Sequence, residues 1–329
     1  MSERPKFLAA PFPWFGGKSR VADEVWHALG DVAHYVEPFA GSLAVLLARP
    51  KGVCATVNDL DCYVANFWRA LKHDPEAVGE HASDPVNEAD LFARHMWLVT
   101  HGRARIDRIN ADPDFYDAKV AGWWVWGQCI WIGSGWCSGT GPWWSDGQLP
   151  HLGDEGRGVN RQLPHLLGNE GQGVNRQRRI TDYMCALSRR LEDVRVCCGD
   201  WTRVLTDGAL SYGSSVGVFL DPPYLGEART ENLYSSDDAT VSHAVREWAI
   251  ANGDDKRLRI VLAGYEAEHA AHMPASWRCH SYRGKRAYGT TAGGGQNEAN
   301  RQGERLWFSP HCVPEEQPSL FGHDERRGA

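Results

Sequence analysis

Four consecutive residues, Asp221-Pro222-Pro223-Tyr224, have the types and spacing to do chemistry. They follow the apolar run Val216-Gly217-Val218-Phe219-Leu220, which reads as a buried strand bounded by turn signals. A carboxylate and an aromatic are thus presented at the carboxyl end of a strand, the edge where open α/β sheets bind ligands. The prolines stiffen the loop and withdraw two backbone donors, which leaves carbonyl acceptors to point at a ligand. Two acceptors beside an aromatic face suit an exocyclic amino group on a nucleobase. The lone pair of such a nitrogen is delocalised into the ring. An acceptor on each N–H favours a pyramidal nitrogen and aims the lone pair at an electrophile. Asp221 and the Pro222 carbonyl are the candidate acceptors, and Tyr224 is the candidate stacking surface for a base that has left its helix. An Asp-Pro-Pro turn after a core strand accounts for the same residues, so the elements around them decide.

Those elements alternate strand and helix. Pro11 to Lys18 opens the chain with Gly16 and Gly17 ahead of Lys18, and the period of Val21, Val25, Trp26 and Leu29 predicts a helix. Tyr35 to Ser42 followed by Leu43 to Ala48 reads as strand, tight turn and helix, an arrangement that sets a ligand at a helix N-terminus. Gly41 is the one glycine of that turn, so no GxGxxG fingerprint is present. Glu37 ends the strand, in reach of amino or hydroxyl groups of a cofactor. Cys54 to Asp59 is a second strand, and Asp59 is placed to accept from ribose hydroxyls or to cap the helix predicted over Tyr63 to Leu71. Val194 to Trp201 reads as a strand ending at Asp200, and further strands end near Tyr265, Arg283 and Ser309. Seven strands result, with carboxylates at four ends: Glu37, Asp59, Asp200 and Asp221.

The chain has 329 residues, enough for one large α/β domain with an insertion or for two domains. No apolar run approaches membrane-spanning length, and Met1 to Lys6 lacks a signal-peptide pattern, so a soluble, cytoplasmic protein is expected. Nine scattered cysteines without a CxxC pair read as reduced structural thiols, and no metal is expected. The formal charge of -7 is not that of a nucleic-acid binder as a whole, but arginines cluster at Arg176, Arg178, Arg179, Arg189 and Arg190 and again from Arg278 to Arg305. Clusters of this kind are usually solvated faces.

Residues 72 to about 122 read as polar helices and linkers. Seven of the fifteen tryptophans then fall between Trp123 and Trp144. Some are placed to stack on bases, though a buried aromatic helix accounts for most of them. Leu149–Gln162 recurs as Leu163–Gln177 with one extra residue. These two copies are polar loops that either touch phosphates and base edges or are plain surface. Ile180 to Leu191 and Val241 to Ala251 read as helices, and Gly289 to Gly303 is glycine-rich.

In their order these motifs resemble Dam-type (D12 class) DNA adenine N6-methyltransferases, in a variant similar to those of phages and mobile elements. Trp14-Phe15-Gly16-Gly17-Lys18 resembles the family's W-x-G-G-K, whose Trp and Lys meet S-adenosylmethionine. Glu37-Pro38-Phe39-Ala40-Gly41, with Ser42 after it, resembles the E-P-F-x-G cofactor turn. Asn58-Asp59 resembles N-D, whose Asp holds the ribose. Gly199-Asp200-Trp201 resembles G-D-F, whose Asp lies near the cofactor adenine. Asp221 to Tyr224 resembles the catalytic D-P-P-Y. The resemblance implies a Rossmann-like sheet of seven strands, six parallel and the last antiparallel. It also implies methyl transfer from S-adenosylmethionine to N6 of a flipped adenine in double-stranded DNA. The turn here is less glycine-rich than the family's, which leaves the cofactor assignment standing, and the recognition segment differs, so no target sequence is carried over.

On this reading residues 1–75 and 180–312 form the catalytic domain, 76–179 an inserted target-recognition region and 313–329 a flexible tail. DNA contacts are expected at Arg157, Arg161, Arg176, Arg178 and Arg179. Gln317-Pro318-Ser319-Leu320-Phe321 resembles the Q-x-x-L-F peptide that docks in the bacterial sliding clamp. N4-cytosine methylation, action on RNA or a free nucleotide, and a non-catalytic DNA- or clamp-binding protein are the alternatives. A dehydrogenase is disfavoured by the missing GxGxxG.

Overall fold

The computed structural model describes residues 8–14, 16–49, 53–131, 135–137, 176–223, 237–282 and 303–314. In chain order the elements are α1 (Ala22–Leu29), β1 (His34–Glu37), α2 (Ala44–Ala48), β2 (Cys54–Asp59), α3 (Cys62–His73), α4 (Pro75–His81), α5 (Glu88–Trp97), α6 (Arg103–Ile106), α7 (Ala118–Ile130), α8 (Arg176–Arg190), β3 (Val194–Cys198), α9 (Asp207–Leu210), β4 (Val216–Leu220), α10 (Asp237–Asn252), β5 (Leu258–Tyr265), α11 (Glu266–His269), β6 (Arg278–Ser281) and β7 (Glu304–Phe308). A π-helical turn, Leu98–Gly102, joins α5 to α6, and 3-10 turns cover Asp107–Asn110 and Trp201–Val204.

The seven strands form one sheet in the order β3-β2-β1-β4-β5-β7-β6. Pairing is parallel from β3 to β5, and β7 runs antiparallel to both β5 and β6. The expected six parallel strands and one reversed strand are present, and the sheet is Rossmann-like. Sequence order reverses direction between β1 and β4, the switch point at which open α/β sheets take ligands.

Every residue of β1 and β4 is buried, as in a parallel sheet covered on both faces. Their side chains divide by the period of two. Val36, Val216, Val218, Leu220, Leu258, Ile260, Leu262 and Trp307 pack with α10 and the Trp201–Val204 turn. Tyr35, Phe219, Val261, Ala263, Leu306 and Phe308 pack on the opposite face, under α1, α2, α3 and α8.

The second cluster does not stop at residue 75. Val78, Leu91, Leu98, Ile106 and most of α7 belong to it, so α4 to α7 share the core of the sheet. Helix α7 is apolar on every side, and Trp124, Trp126 and Ile130 are buried. It is a buried aromatic helix of the kind expected, and it carries three of the seven tryptophans, Trp123, Trp124 and Trp126. It ends at Ile130, and Trp143 and Trp144 lie outside the described residues.

In the first arginine cluster Arg179 and Arg189 are exposed, as expected of a solvated face, and Arg190 departs from it. Arg190 is buried and donates to the Leu46 and Arg49 carbonyls, so it caps the C-terminus of α2. No helix among the described residues is long and apolar enough to cross a membrane.

Candidate active site

The ends of β1, β2, β3 and β4 open into a cavity of about 250 Å³. Its walls include Trp14, Gly16, Gly17, Lys18, Glu37, Pro38, Phe39, Gly41, Ser42, Asp59, Asp200, Trp201, Asp221 and Pro222. All the described residues singled out at the strand ends and in the Gly-Gly-Lys loop are therefore brought to one place. Tyr224, Phe15, Arg157, Arg161 and the tail Gln317–Phe321 lie outside the described residues, as do the side chains of Arg176 and Arg178. Arg179 is exposed on α8 and does not line the cavity.

The turn after β1 is fixed by backbone contacts. Gly41 has φ +43, and a Cβ there would run into the Trp14 indole. Its N–H donates to Asp59 Oδ2 at 2.9 Å, and its carbonyl accepts from Trp68 Nε1 at 2.8 Å. Helix α2 has only five residues and starts from Leu43 in the left-handed region (φ 52), so it offers little of the helix dipole expected there. The ordering of the turn comes from Trp14, Trp68 and Asp59 instead.

Asp59 does not cap α3. That cap is Asp61, whose side chain accepts from the Tyr63 N–H at 2.8 Å. Asp59 accepts from the Asp61 N–H through Oδ1 at 2.9 Å while holding Gly41 through Oδ2. One carboxylate thus ties the β1 turn to the β2 loop. Asn58, buried beneath it, does the same for the next pair: its Nδ2 donates to the Pro38 carbonyl at 3.0 Å and to the Gly199 carbonyl at 2.9 Å. Its Oδ1 is buried with no hydrogen-bond partner and belongs to a residue of the cavity wall. A polar side chain at an otherwise apolar strand end was the sequence signal for Asn58. Leu60, 52% exposed on the same rim, and Val241 of α10 gave no such signal.

Glu37 is buried, and Tyr35 Oη donates to its Oε2 at 3.0 Å. Burial pushes its carboxyl well above the ordinary range, more than the Tyr35 bond offsets, with Asp221 and Asp59 adding like-charge repulsion. At the far wall Asp200 accepts from the Thr202 N–H at 3.0 Å and starts the 3-10 turn, and Trp201 stacks on Phe39 at 6.3 Å between ring centroids.

Asp221 meets Lys18. The buried Lys18 ammonium lies 2.9 Å from Asp221 Oδ1 and donates to the Gly16 carbonyl at 2.7 Å. The lysine singled out for the cofactor thus holds the carboxylate at the end of β4. Pro222 is buried and Pro223 exposed, so the loop leaves the sheet at that point. The arrangement joins a carboxylate of fixed orientation to a cavity rich in acceptors, a setting for a cationic or amino-bearing ligand. Among the described residues, no group of three or more His, Cys, Asp or Glu is placed to hold a metal ion.

Comparison with known families adds a direct finding. Residues 14–113 match the family model of D12 class N6 adenine-specific DNA methyltransferases. The match runs from Trp14 through β1, β2 and α3, and ends before Asp200 and Asp221. It supports an enzyme, an S-adenosylmethionine-dependent adenine DNA methyltransferase, on the α/β sheet described above. No curated protein matches the chain.

Proposed function

We propose that the protein methylates N6 of an adenine flipped out of double-stranded DNA, with S-adenosylmethionine as the methyl donor. The observation that carries this reading is the Lys18–Asp221 pair at the switch point, on the rim of the strand-end cavity. The donor set fits the cofactor: Asp59 and Asp200 are acceptors for a nucleoside, Glu37 for an ammonium, and the unpartnered Asn58 Oδ1 is a polar atom the protein itself does not use. Trp14, Gly16, Gly17, Pro38, Phe39, Gly41, Ser42 and Trp201 complete that wall. When bound, S-adenosylmethionine supplies a methyl group on a positively charged sulfur.

The chain's own groups orient the amine. Asp221 and the Pro222 carbonyl accept its two N–H bonds, and Lys18 fixes Asp221 and balances its charge. Once the amine is methylated, its extra N–H proton would leave through Asp221 to water. Tyr224 stacks on the flipped base, which offsets an unstacking cost of a few kcal/mol. Arg157, Arg161, Arg176, Arg178 and Arg179 are assigned to DNA phosphates or base edges, within a recognition region at 76–179. Gln317–Phe321 is assigned to a sliding clamp, and the setting to the cytoplasm.

The test is a reaction with labelled S-adenosylmethionine and unmethylated DNA, read by nucleoside mass spectrometry, with Asp221→Ala alongside. N6-methyladenine from the wild type is expected, with at least a ~100-fold loss in the variant. N4-methylcytosine would overturn the base assignment, and an active Asp221→Ala would overturn the role of the carboxylate.

A further inference from the structure

Two thiols stand directly behind the cavity wall, and methyl transfer makes no use of them. Cys198 is the last residue of β3 and pairs in register with Asp59 of β2. Cys62 is the first residue of α3, next to the cap Asp61. Both are buried, and their sulfurs lie 3.7 Å apart. Each adjoins a wall residue, since Asp61 and Gly199 both line the cavity.

The surroundings activate one sulfur of the pair. Cys62 sits at a helix N-terminus, where a negative charge is favoured. Cys198 donates its S–H to it, and Asn110 Nδ2 donates at 3.7 Å. The Cys198 bond, with Arg103 and Asn110 beside it, outweighs burial and brings the Cys62 thiol down to about 6. The same bond pushes Cys198 up, and Cys62, at the start of α3, is the sulfur placed to act as the nucleophile. The shell over Cys62 is thin: Arg103 and Asn110 are both exposed.

We propose that Cys62 and Cys198 form an oxidisable dithiol whose disulfide closes the cavity against its ligand. The oxidant is a hydroperoxide. The Cys62 thiolate attacks the O–O bond, giving Cys62 sulfenic acid and releasing hydroxide or alkoxide. The Cys198 sulfur then attacks Cys62, the S–S bond forms, and water leaves with the thiol proton. The two thiols lose two electrons and the peroxide gains them. A disulfide brings the sulfurs from 3.7 Å to about 2 Å. That draws the start of α3 toward the Gly199 loop, and the Asp61–Asp59 and Asn58–Gly199 bonds carry the shift to the rim. The effect on S-adenosylmethionine rests on the reading of this cavity given above.

The full chain is treated with limiting hydrogen peroxide, and its disulfides are mapped by non-reducing peptide mass spectrometry. Binding of S-adenosylmethionine is measured calorimetrically on reduced, oxidised and re-reduced protein, with Cys62→Ser and Cys198→Ser as controls. A Cys62–Cys198 crosslink is expected in the wild type, with at least a tenfold loss of affinity that reduction restores. Neither variant should lose affinity reversibly in this way, and Cys198→Ser should leave a sulfenic acid trappable on Cys62. Oxidation of the exposed Cys54 and Cys279 without the crosslink would overturn the proposal, as would a crosslink that leaves affinity unchanged. Reduced protein that fails to bind would instead overturn the cofactor reading, and the crosslink alone would then decide the dithiol.

Discussion

The rim of the sheet and helix α7 are each crowded with one kind of residue, and the fold treats them in opposite ways. Four strands end in or beside carboxylates, and all four carboxylates line an open cavity. The tryptophans of α7 are instead absorbed into the core: Trp124 packs against Phe12 and Phe67 at 5.1 and 5.6 Å between ring centroids, and Trp126 donates to the Asp84 carbonyl under the Arg94 guanidinium. What separates them is position. A strand end in a parallel sheet faces outward whatever residue stands there, whereas a helix apolar on every side has to be covered. Density of a residue type therefore marks a site only where the backbone already points at solvent.

The sharpest break of this contrast is Trp126→Ala. It should cost about 3–5 kcal/mol, because a large cavity opens and the Asp84 carbonyl loses its donor. Denaturant unfolding would check it, and a loss under 1 kcal/mol would mean that α7 is not core. Asn58→Ala on the rim should cost less, about 1–3 kcal/mol from two carbonyls left without their donor, and should weaken cofactor binding as well. Unfolding and calorimetry on the same variant separate the two effects.

The rim and the core packed beside the end of α7 should also respond to pH with opposite sign. Glu37 binds its proton more tightly when folded than when unfolded. Its ionisation therefore costs stability that grows as pH rises from its ordinary value of 4.5 through the raised folded value. Glu37→Gln should melt higher than the wild type at pH 8, with the advantage gone near pH 4, while binding a cationic cofactor more weakly. His95 is fully buried and stacks on Trp131 at 4.8 Å, and burial brings it down to about 4. Stability then falls as pH drops from 6.5 toward 4. His95→Phe keeps the stack and should flatten the acid side of the melting profile by up to one proton, the smallest effect of the series.

Much of this was legible in the sequence. Apolar runs closed by a carboxylate located β1, β2 and β4 and the ligand edge, because a parallel strand announces its own length and its own end. Partners that meet only through tertiary structure were not legible. Lys18 reads as a ligand contact until β4 brings Asp221 to it. Asp59 reads as the cap of α3 until Asp61, two residues on, takes that place. Cys62 and Cys198 look like scattered thiols because their contact depends on the register of β2 against β3, which no local pattern encodes. Arg190 reads as surface because nothing near it in sequence shows the orphan carbonyls of α2.

The strand order also has a consequence for synthesis. Central strand β1 pairs with β2, the next strand in the chain, and with β4, which is not. The contact between Ala33 and Ser215 beside that second pairing spans 182 residues. At the ordinary pace of a ribosome that interval lasts on the order of ten seconds. Throughout it the nascent chain carries one unsatisfied edge of a strand that ends up fully buried. A mutation or codon change that slows elongation between β2 and β4 should therefore lower the yield of soluble protein without altering the finished molecule.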